Sequence, residues 1–225
     1  MPARGLRPLR LTRGAARIAC PVIGLYRVVG IIHTGAERQN TSYSNCCLIL
    51  MKKALVLIDL QYDFLDASGR MPAAADQIEP MLAQIQCAAA AANAAGDPVI
   101  GVVNRFARLD PANLFRHFAA VANSPGAMWD KRAPRPNAGT FPKASGSALS
   151  NPEFENALRS RQIDEIVLTG VYTSGCVAAT AKGGMRRGFK VSLMAPGTAD
   201  RSEQARQLAI LRLKRTGVRI LESYT

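Results

Sequence analysis

Residues Ala54–Leu60 read Ala-Leu-Val-Leu-Ile-Asp-Leu, an apolar run interrupted by one acidic residue near its end. Such a run, without polar alternation, is typical of a strand buried on both faces of a parallel sheet. Further runs rich in Val, Ile and Leu follow at Pro98–Asn104, Glu165–Val171, Lys190–Ala195 and Gly217–Leu221. We therefore predict a sheet of buried, mainly parallel strands after residue 50.

Helix-length stretches separate these runs. The apolar residues between positions 78 and 92 recur at helical spacing, and this predicted helix ends near Gly96. Further helices are predicted at Asn113–Ala122, Pro152–Ser160, Gly175–Arg187 and Ser202–Arg215. The alternation predicts one α/β domain of the doubly wound, Rossmann-like type, with helices on both faces of the sheet. The stretch Ser124–Ser150 is rich in Pro and Gly, which predicts a long loop region.

The first 50 residues differ in character from the rest. They carry seven Arg, no Lys and one Glu, a net charge of +6, and show no sustained periodicity. Two interpretations are open: an extension from a start codon placed too early, or an Arg-rich, acid-poor transit peptide. We favour the extension, because Met51-Lys52-Lys53 leads directly into the first strand. The predicted organisation is an extension over residues 1–50 and one domain over residues 51–225.

Composition restricts the partners and the compartment. The formal net charge is +13, but after residue 50 the basic residues are scattered and lack interleaved aromatic side chains. We therefore expect no nucleic-acid partner. No apolar run approaches the ~20 residues of a bilayer-spanning helix, so we expect no membrane partner. The five cysteines fit neither a disulfide framework nor a zinc knuckle. This favours a reducing, cytoplasmic location.

Two residues at the ends of predicted strands are candidates for chemistry, because ligands bind at the carboxyl ends of parallel strands. Asp59 either caps a turn or is a desolvated carboxylate with a raised pKa or a cationic partner. Cys176 follows Glu165–Val171 and begins a predicted helix, whose amides and dipole would lower a thiol pKa and hold an oxyanion. It is either a structural cysteine or a nucleophile.

Lys143 is a third candidate. It is an isolated cation in the otherwise uncharged stretch Gly139–Leu149. Taken alone, it fits a solvated loop lysine. Placed beside an acid and a thiol, it would hold both in their ionised forms and stabilise charge in a transition state.

Together these segments resemble the isochorismatase-like cysteine hydrolases, which include nicotinamidases and N-carbamoylsarcosine amidohydrolases. The resemblance covers residues 52–223 and lies in Ile-Asp-Leu-Gln-Tyr-Asp-Phe at 58–64, in Lys143 followed by Ser147-Ala148, and in Gly-Val-Tyr-Thr-Ser-Gly-Cys-Val-Ala-Ala-Thr-Ala at 170–181. It implies that Asp59 is the general base, Lys143 the catalytic lysine and Cys176 the nucleophile. It also implies a cis peptide bond before Tyr172, with the Tyr172 and Cys176 amides forming an oxyanion hole.

The sequence departs from the family pattern at three places, one of which is Leu149, where the family usually has a Phe after Ser-Ala. Metal-binding amidases of the family carry Asp-x-His-x-x-His after strand two, whereas Asn104–Asp110 reads Asn-Arg-Phe-Ala-Arg-Leu-Asp. We therefore expect no metal and no other cofactor, and nicotinamidase activity is not favoured. Pro196 stands where the family usually has an Asp after strand five.

The resemblance implies cleavage of a C–N bond in a small amide, urea or carbamoyl compound through a thioester. Two alternatives remain open: vinyl-ether hydrolysis of the isochorismatase type, and a catalytically idle domain used for binding or assembly. We predict Phe64, Phe106, Trp129 and Tyr172 as walls of the substrate pocket. We expect a small amide-like molecule as the partner, and a homo-oligomer.

Overall fold

The computed structural model describes residues 51–225, so the interpretation of residues 1–50 lies outside the described residues. The strands are β1 (Lys53–Ile58), β2 (Val99–Asn104), β3 (Thr140–Lys143), β4 (Glu165–Val171), β5 (Lys190–Ala199) and β6 (Arg219–Leu221). The α-helices are α1 (Tyr62–Leu65), α2 (Ala75–Ala95), α3 (Pro152–Ser160), α4 (Ala178–Arg186) and α5 (Glu203–Arg215).

The six strands form one sheet in the order β3-β2-β1-β4-β5-β6, and every pair is parallel. The chain runs outward from β1 through β2 to β3, and then returns to pair β4 with the other side of β1. The direction of winding therefore reverses between β1 and β4, which makes a topological switch point there. The prediction of a doubly wound α/β domain is confirmed.

The core lies in two layers because successive strand residues point to opposite faces of the sheet. Leu55 and Leu57 of β1 pack on the face that α2 covers. Val56 and Ile58 pack on the other face, with buried residues from α3, α4 and α5. Within residues 51–225, none of the helices has the length and apolar character needed to cross a bilayer.

Two predicted segments have a different structure. Asn113–Ala122 is a series of turns instead of a helix, because His117, Phe118 and Ala120 have positive φ angles of 50°, 57° and 51°. Consecutive L-residues in that region cannot continue a right-handed helix. Thr140–Lys143, which was predicted as part of a loop, is an edge strand that pairs with β2.

Strand β5 is longer than predicted. It continues through Pro196 to Ala199, and its register against β4 shifts between Leu168 and Gly170. This irregularity accommodates a proline inside the strand, as bulges commonly do. The acidic residue that follows the fifth strand is therefore Asp200, four positions after Pro196.

Gly170 allows β4 to approach β1 closely. Its φ is +106°, and a Cβ built on it would lie 2.0 Å from the carbonyl oxygen of Ile58 and 2.8 Å from its amide nitrogen. Those atoms belong to the backbone of the paired strand, so they cannot move aside as a flexible side chain would. Only glycine meets both requirements at this position.

Gly170→Ala should therefore unfold the domain or lower its free energy of unfolding by more than about 4 kcal/mol, which exceeds most single substitutions. The matched control is Gly96→Ala, which has a φ of +77° but no atom within 4 Å of the added Cβ. That change should cost only about 1–2 kcal/mol from the backbone conformation. Urea unfolding of both variants is the measurement. Equal stability of the two variants would contradict the close-approach argument.

Candidate active site

The ends of β1 and β4 bring two candidate residues to the switch point. Asp59 directly follows β1, and its φ of 55° is a left-handed conformation that Asp adopts more readily than most residues. Its amide donates to the carbonyl oxygen of Val102 at 2.8 Å. Tyr172 directly follows β4, and Cys176 lies in the short π-helical segment Thr173–Val177 that leads into α4.

Lys143 joins these two residues. It is the last residue of β3, and its Nζ lies 2.9 Å from Asp59 Oδ2 and 3.1 Å from Cys176 Sγ. The side chains of Lys143 and Asp59 are both buried, and Cys176 is part-buried with a free thiol. The structure therefore brings together the three residues predicted for catalysis.

Asn104 completes the cluster and was not among the predicted site residues. It is the last residue of β2; its Oδ1 accepts from Lys143 Nζ at 2.6 Å, and its Nδ2 donates to Asp59 Oδ2 at 2.8 Å. Gln61 fixes its backbone, accepting from the Asn104 amide at 2.7 Å and donating to its carbonyl oxygen at 2.9 Å. The sequence signal that could have marked Asn104 as a site residue is its position, because it ends one apolar strand and Asp59 directly follows another.

Burial controls the protonation of this cluster. Burial raises the pKa of Asp59 although Lys143 opposes the shift. Burial, and then the charge of Asp59, raises the pKa of the Cys176 thiol to about 12. Burial would lower the pKa of Lys143, but its interactions with Asp59 and Cys176 together outweigh burial, and the pKa is raised. At neutral pH the cluster holds an ammonium and a protonated thiol, so the predicted lowering of the thiol pKa is wrong.

The turn before Cys176 is held by residues at the end of β5 and just after it. Asp200 Oδ2 accepts from the Ser174 amide at 2.6 Å, and Thr173 Oγ1 donates to the carbonyl oxygen of Ala199 at 3.1 Å. The Val171–Tyr172 peptide bond is cis, as the resemblance implies. The Tyr172 hydroxyl donates to the carbonyl oxygen of Met71. These bonds fix the backbone on both sides of the proposed oxyanion hole.

A small cavity opens over Cys176. Its volume is about 130 Å³. The lining includes the predicted walls Phe64, Phe106 and Tyr172, together with Asp59, Met71, Asn104, Arg116, Ala119, Val171 and Arg201. Arg116 and Arg201 were not among the predicted site residues, because neither stands in a sequence pattern that marks it. The cavity admits only a small molecule.

Trp129 is not among the residues that line this cavity, so its place as a wall of the substrate pocket stays a prediction. Its backbone pairs with Gln61, and its side chain packs against the apolar core on the α2 side of the sheet. The bridge to Gln61 fixes Trp129 there. The sequence carries no local signal for this pairing, because it joins a loop to the segment after β1.

The residues do not fit a metal centre. Among residues 51–225, no group of three or more His, Cys, Asp and Glu is arranged to hold a metal ion. Asn104, the first residue of the stretch Asn104–Asp110, directs its side-chain hydrogen bonds to Lys143, Asp59 and Cys176. The absence of a metal and of any other cofactor stays a prediction.

Three comparisons describe the similarity of this chain to known proteins. Residues 53–224 match the isochorismatase domain model. The chain is 30% identical over 180 residues to the ureidoacrylate amidohydrolase RutB of Pseudomonas syringae pv. syringae (strain B728a), covering 68% of this chain and 71% of that protein.

Solved structures share the fold. The nicotinamidase/pyrazinamidase PncA of Bacillus subtilis matches with a TM-score of 0.68 at 23% identity, covering 76% of this chain and 100% of that one. The N-carbamoylsarcosine amidase of Thermoplasma acidophilum matches with a TM-score of 0.66 at 20% identity, covering 76% and 96%. Because the domain match extends from β1 past β6 and so includes every strand and helix given above, the chain belongs to the isochorismatase family of hydrolases.

Proposed function

We propose that the protein is a cysteine hydrolase that cleaves a C–N bond in a small amide, urea or carbamoyl compound through a thioester intermediate. The observation that carries this proposal is the contact of Lys143 Nζ with both Asp59 Oδ2 and Cys176 Sγ beside a small cavity. The names of the relatives add support, since they are an amidohydrolase, a nicotinamidase and an amidase. A homo-oligomer stays part of the proposal.

The first step requires a base, because a thiol with a pKa of about 12 is not ionised at neutral pH. Asp59 accepts the thiol proton as Cys176 Sγ forms a bond to the substrate carbonyl carbon. Its raised pKa makes Asp59 a stronger base than an exposed carboxylate. Lys143 stays protonated. It stabilises the negative charge while that charge passes from Asp59 to the sulfur and then to the carbonyl oxygen.

The tetrahedral intermediate then collapses. The Tyr172 and Cys176 amides hold the oxyanion, as amides at the start of a helix can. Asp59 gives its proton to the leaving nitrogen, the C–N bond breaks, and the acyl group remains on Cys176 as a thioester. Asp59 next accepts a proton from water, which attacks the thioester carbon. The C–S bond breaks, the acid product leaves, and the sulfur regains its proton.

Asp59→Asn should abolish hydrolysis but make Cys176 react faster with iodoacetamide at neutral pH. Burial raises the thiol pKa most, the Asp59 carboxylate raises it further and Lys143 lowers it, so removing the carboxylate leaves burial opposed by the cation. For each unit by which the thiol pKa falls, the thiolate fraction rises about tenfold, while the reactivity of each thiolate falls with a Brønsted coefficient of about 0.4–0.5. Alkylation should therefore speed up about threefold for each unit of thiol pKa. Ammonia release and mass spectrometry of labelled Cys176 measure the two effects.

Two controls accompany this experiment. Asp76→Asn removes an exposed carboxylate in the first turn of α2 and should change neither rate. Cys176→Ala should abolish both the hydrolysis and the labelling at this position.

An idle binding domain predicts no hydrolysis by the wild type. A vinyl-ether hydrolase that works by acid catalysis predicts no ammonia release from amides. It also predicts hydrolysis of a vinyl ether that survives Cys176→Ala. Slower alkylation of Asp59→Asn would contradict the claim that the carboxylate raises the pKa of the resting thiol.

The pH profile of kcat/KM should fall on the acid side and stay level far into the alkaline range. Asp59 must be ionised to accept the thiol proton, and its raised pKa shifts the acid loss above the ordinary value of 3.8. The thiol keeps its proton up to about 12, and Lys143 keeps its proton beyond 10.5. Initial rates in overlapping buffers measure the profile. An alkaline change near the reference thiol pKa of about 8.5 would contradict general-base catalysis by Asp59.

Hydrolysis should survive exhaustive treatment with EDTA or phenanthroline, because the proposed steps use only Asp59, Lys143, Cys176 and backbone amides. The measurement is ammonia release before and after dialysis against chelator, with the metal content determined by mass spectrometry. A loss of activity that zinc, iron or manganese restores would contradict the metal-free mechanism.

A further inference from the structure

Strand β1 ends before its neighbour β2 does. The register of the two strands stops at Ile58 and Val102, and the Asp59 amide then donates to the Val102 carbonyl oxygen at 2.8 Å. Alternate residues of a strand direct their amide and carbonyl groups to the same side, so Asn104 directs its own groups toward β1 as Val102 does. The chain of β1 has already turned away at Asp59, where φ is 55°. The backbone of Asn104 therefore extends past the end of its neighbouring strand.

The side chain of Gln61 takes the place of that strand. Its Oε1 accepts from the Asn104 amide at 2.7 Å, and its Nε2 donates to the Asn104 carbonyl oxygen at 2.9 Å. Nε2 also donates to the carbonyl oxygen of Ala127 at 2.8 Å. A side-chain amide has the donor and acceptor of a peptide group, so it can complete a ladder that the backbone leaves open. Gln61 is fully buried, and a lost bond would leave a backbone group unpaired away from water.

The backbone of Gln61 holds the other acceptor of the cluster. The Gln61 amide donates to the carbonyl oxygen of Asp59 at 2.8 Å. Gln61 thus contacts Asp59 through its main chain and Asn104 through its side chain. The side chains of these two residues meet at Lys143, whose Nζ donates to Asn104 Oδ1 and to Asp59 Oδ2.

We propose that Gln61 is a positioning residue, which aims the side chain of Asn104 at Asp59 and Lys143 by completing the hydrogen bonds of β2 where β1 has ended. Asn104 is the last residue of β2, so no further strand residue fixes the direction of its side chain. A rotation there would separate Nδ2 from Asp59 Oδ2, which lie 2.8 Å apart. The inference deepens the proposed function and rests on it for the role of Asp59 as the base.

The consequence is a change in the acidity of Asp59. Burial raises the pKa of Asp59, and Lys143, Cys176 and Asn104 each lower it. A hydrogen bond donated to a carboxylate favours its ionised form. If Asn104 is no longer aimed at Asp59, the pKa of Asp59 should therefore rise further. The other ionisable groups of the cavity wall stay unchanged in the experiment: Arg116, Tyr172 and Arg201.

The pH dependence of iodoacetamide labelling at Cys176 reports the charge of Asp59 without a substrate. Below the pKa of Asp59 both residues carry a proton, and the thiolate fraction rises with pH. Above it the pair holds one proton, so the thiolate fraction stays constant until the thiol itself ionises. The pH at which the labelling rate first levels off is the measured quantity, with mass spectrometry identifying the labelled Cys176.

A double-mutant cycle then tests the proposal. Gln61→Met removes the three side-chain hydrogen bonds and should move the levelling-off point upward by about one pH unit, since a hydrogen bond to a charged group typically changes an equilibrium about tenfold or more. Asn104→Ala should shift it at least as far, but keeps the backbone groups that Gln61 binds. Adding Gln61→Met to Asn104→Ala should produce no further shift and still lower the melting temperature.

The matched control lies at the other end of β2. Asn137 Oδ1 accepts from the Val99 amide at 2.8 Å, so Asn137→Ala also removes a side-chain bond to this strand. It should lower the melting temperature and leave the levelling-off point unchanged. If Gln61→Met does not fold, Gln61→Asn replaces it in the cycle. Its amide is one carbon–carbon bond shorter and cannot keep the same three bonds, so the shift should have the same direction and a smaller size.

Three results would overturn the proposal: equal shifts from the Gln61 substitution in the wild-type and Asn104→Ala backgrounds, no shift in the wild-type background, or an equal shift from Asn137→Ala. Ammonia release from amides distinguishes this inference from the proposed function. If the cycle behaves as expected and no amide is hydrolysed, the positioning role stands and the proposed hydrolysis fails. If amides are hydrolysed and the shifts are equal in both backgrounds, the proposed function stands and the role of Gln61 is wrong.

Discussion

An ammonium and a carboxylate, 2.9 Å apart and both withdrawn from water, constrain the rest of this structure. Burying charges costs several kcal/mol per ion, and an isolated attraction does not always offset that penalty. Here Asn104 satisfies both partners, because it accepts from Lys143 and donates to Asp59. Asp59 Oδ1 has no hydrogen-bond partner within residues 51–225. The pair thus retains an open acceptor, which is what a base that must receive a proton requires.

The parallel sheet explains how residues so distant in sequence meet. β1, β2, β3 and β4 end at the same edge. Asp59, Asn104 and Lys143 lie at or next to the last residue of their strands, and Cys176 lies in the segment Thr173–Val177 after β4. Asn104 and Lys143 are register partners in the pairing of β2 with β3. A one-residue slip would turn Lys143 to the opposite face of the sheet. The register, which Gly170 also enforces between β1 and β4, therefore sets the geometry of the site.

The sequence predicts what depends on local pattern. Strand Glu165–Val171 and helix Pro152–Ser160 have the predicted boundaries, because apolar runs and caps define them locally. β3 was missed since a four-residue edge strand containing Pro142 has no apolar signature. Arg201 could not be predicted to line the cavity, because only the fold brings it over the ring of Tyr172. The thiol pKa was predicted with the wrong sign because the helix N-terminus is visible in the sequence and burial beside a carboxylate is not.

The raised thiol pKa changes how the nucleophile is controlled. A thiolate, and not a thiol, is the form that oxidants and alkylating agents attack. If Asp59 removes the proton only as sulfur meets a carbonyl carbon, Cys176 stays in its less reactive form while the cavity is empty. The resting cluster then has one cation, Lys143, and one negative charge, that of Asp59. In this mechanism the proton leaves the sulfur only when a substrate occupies the cavity, and Lys143 already lies beside the sulfur to stabilise the charge that develops.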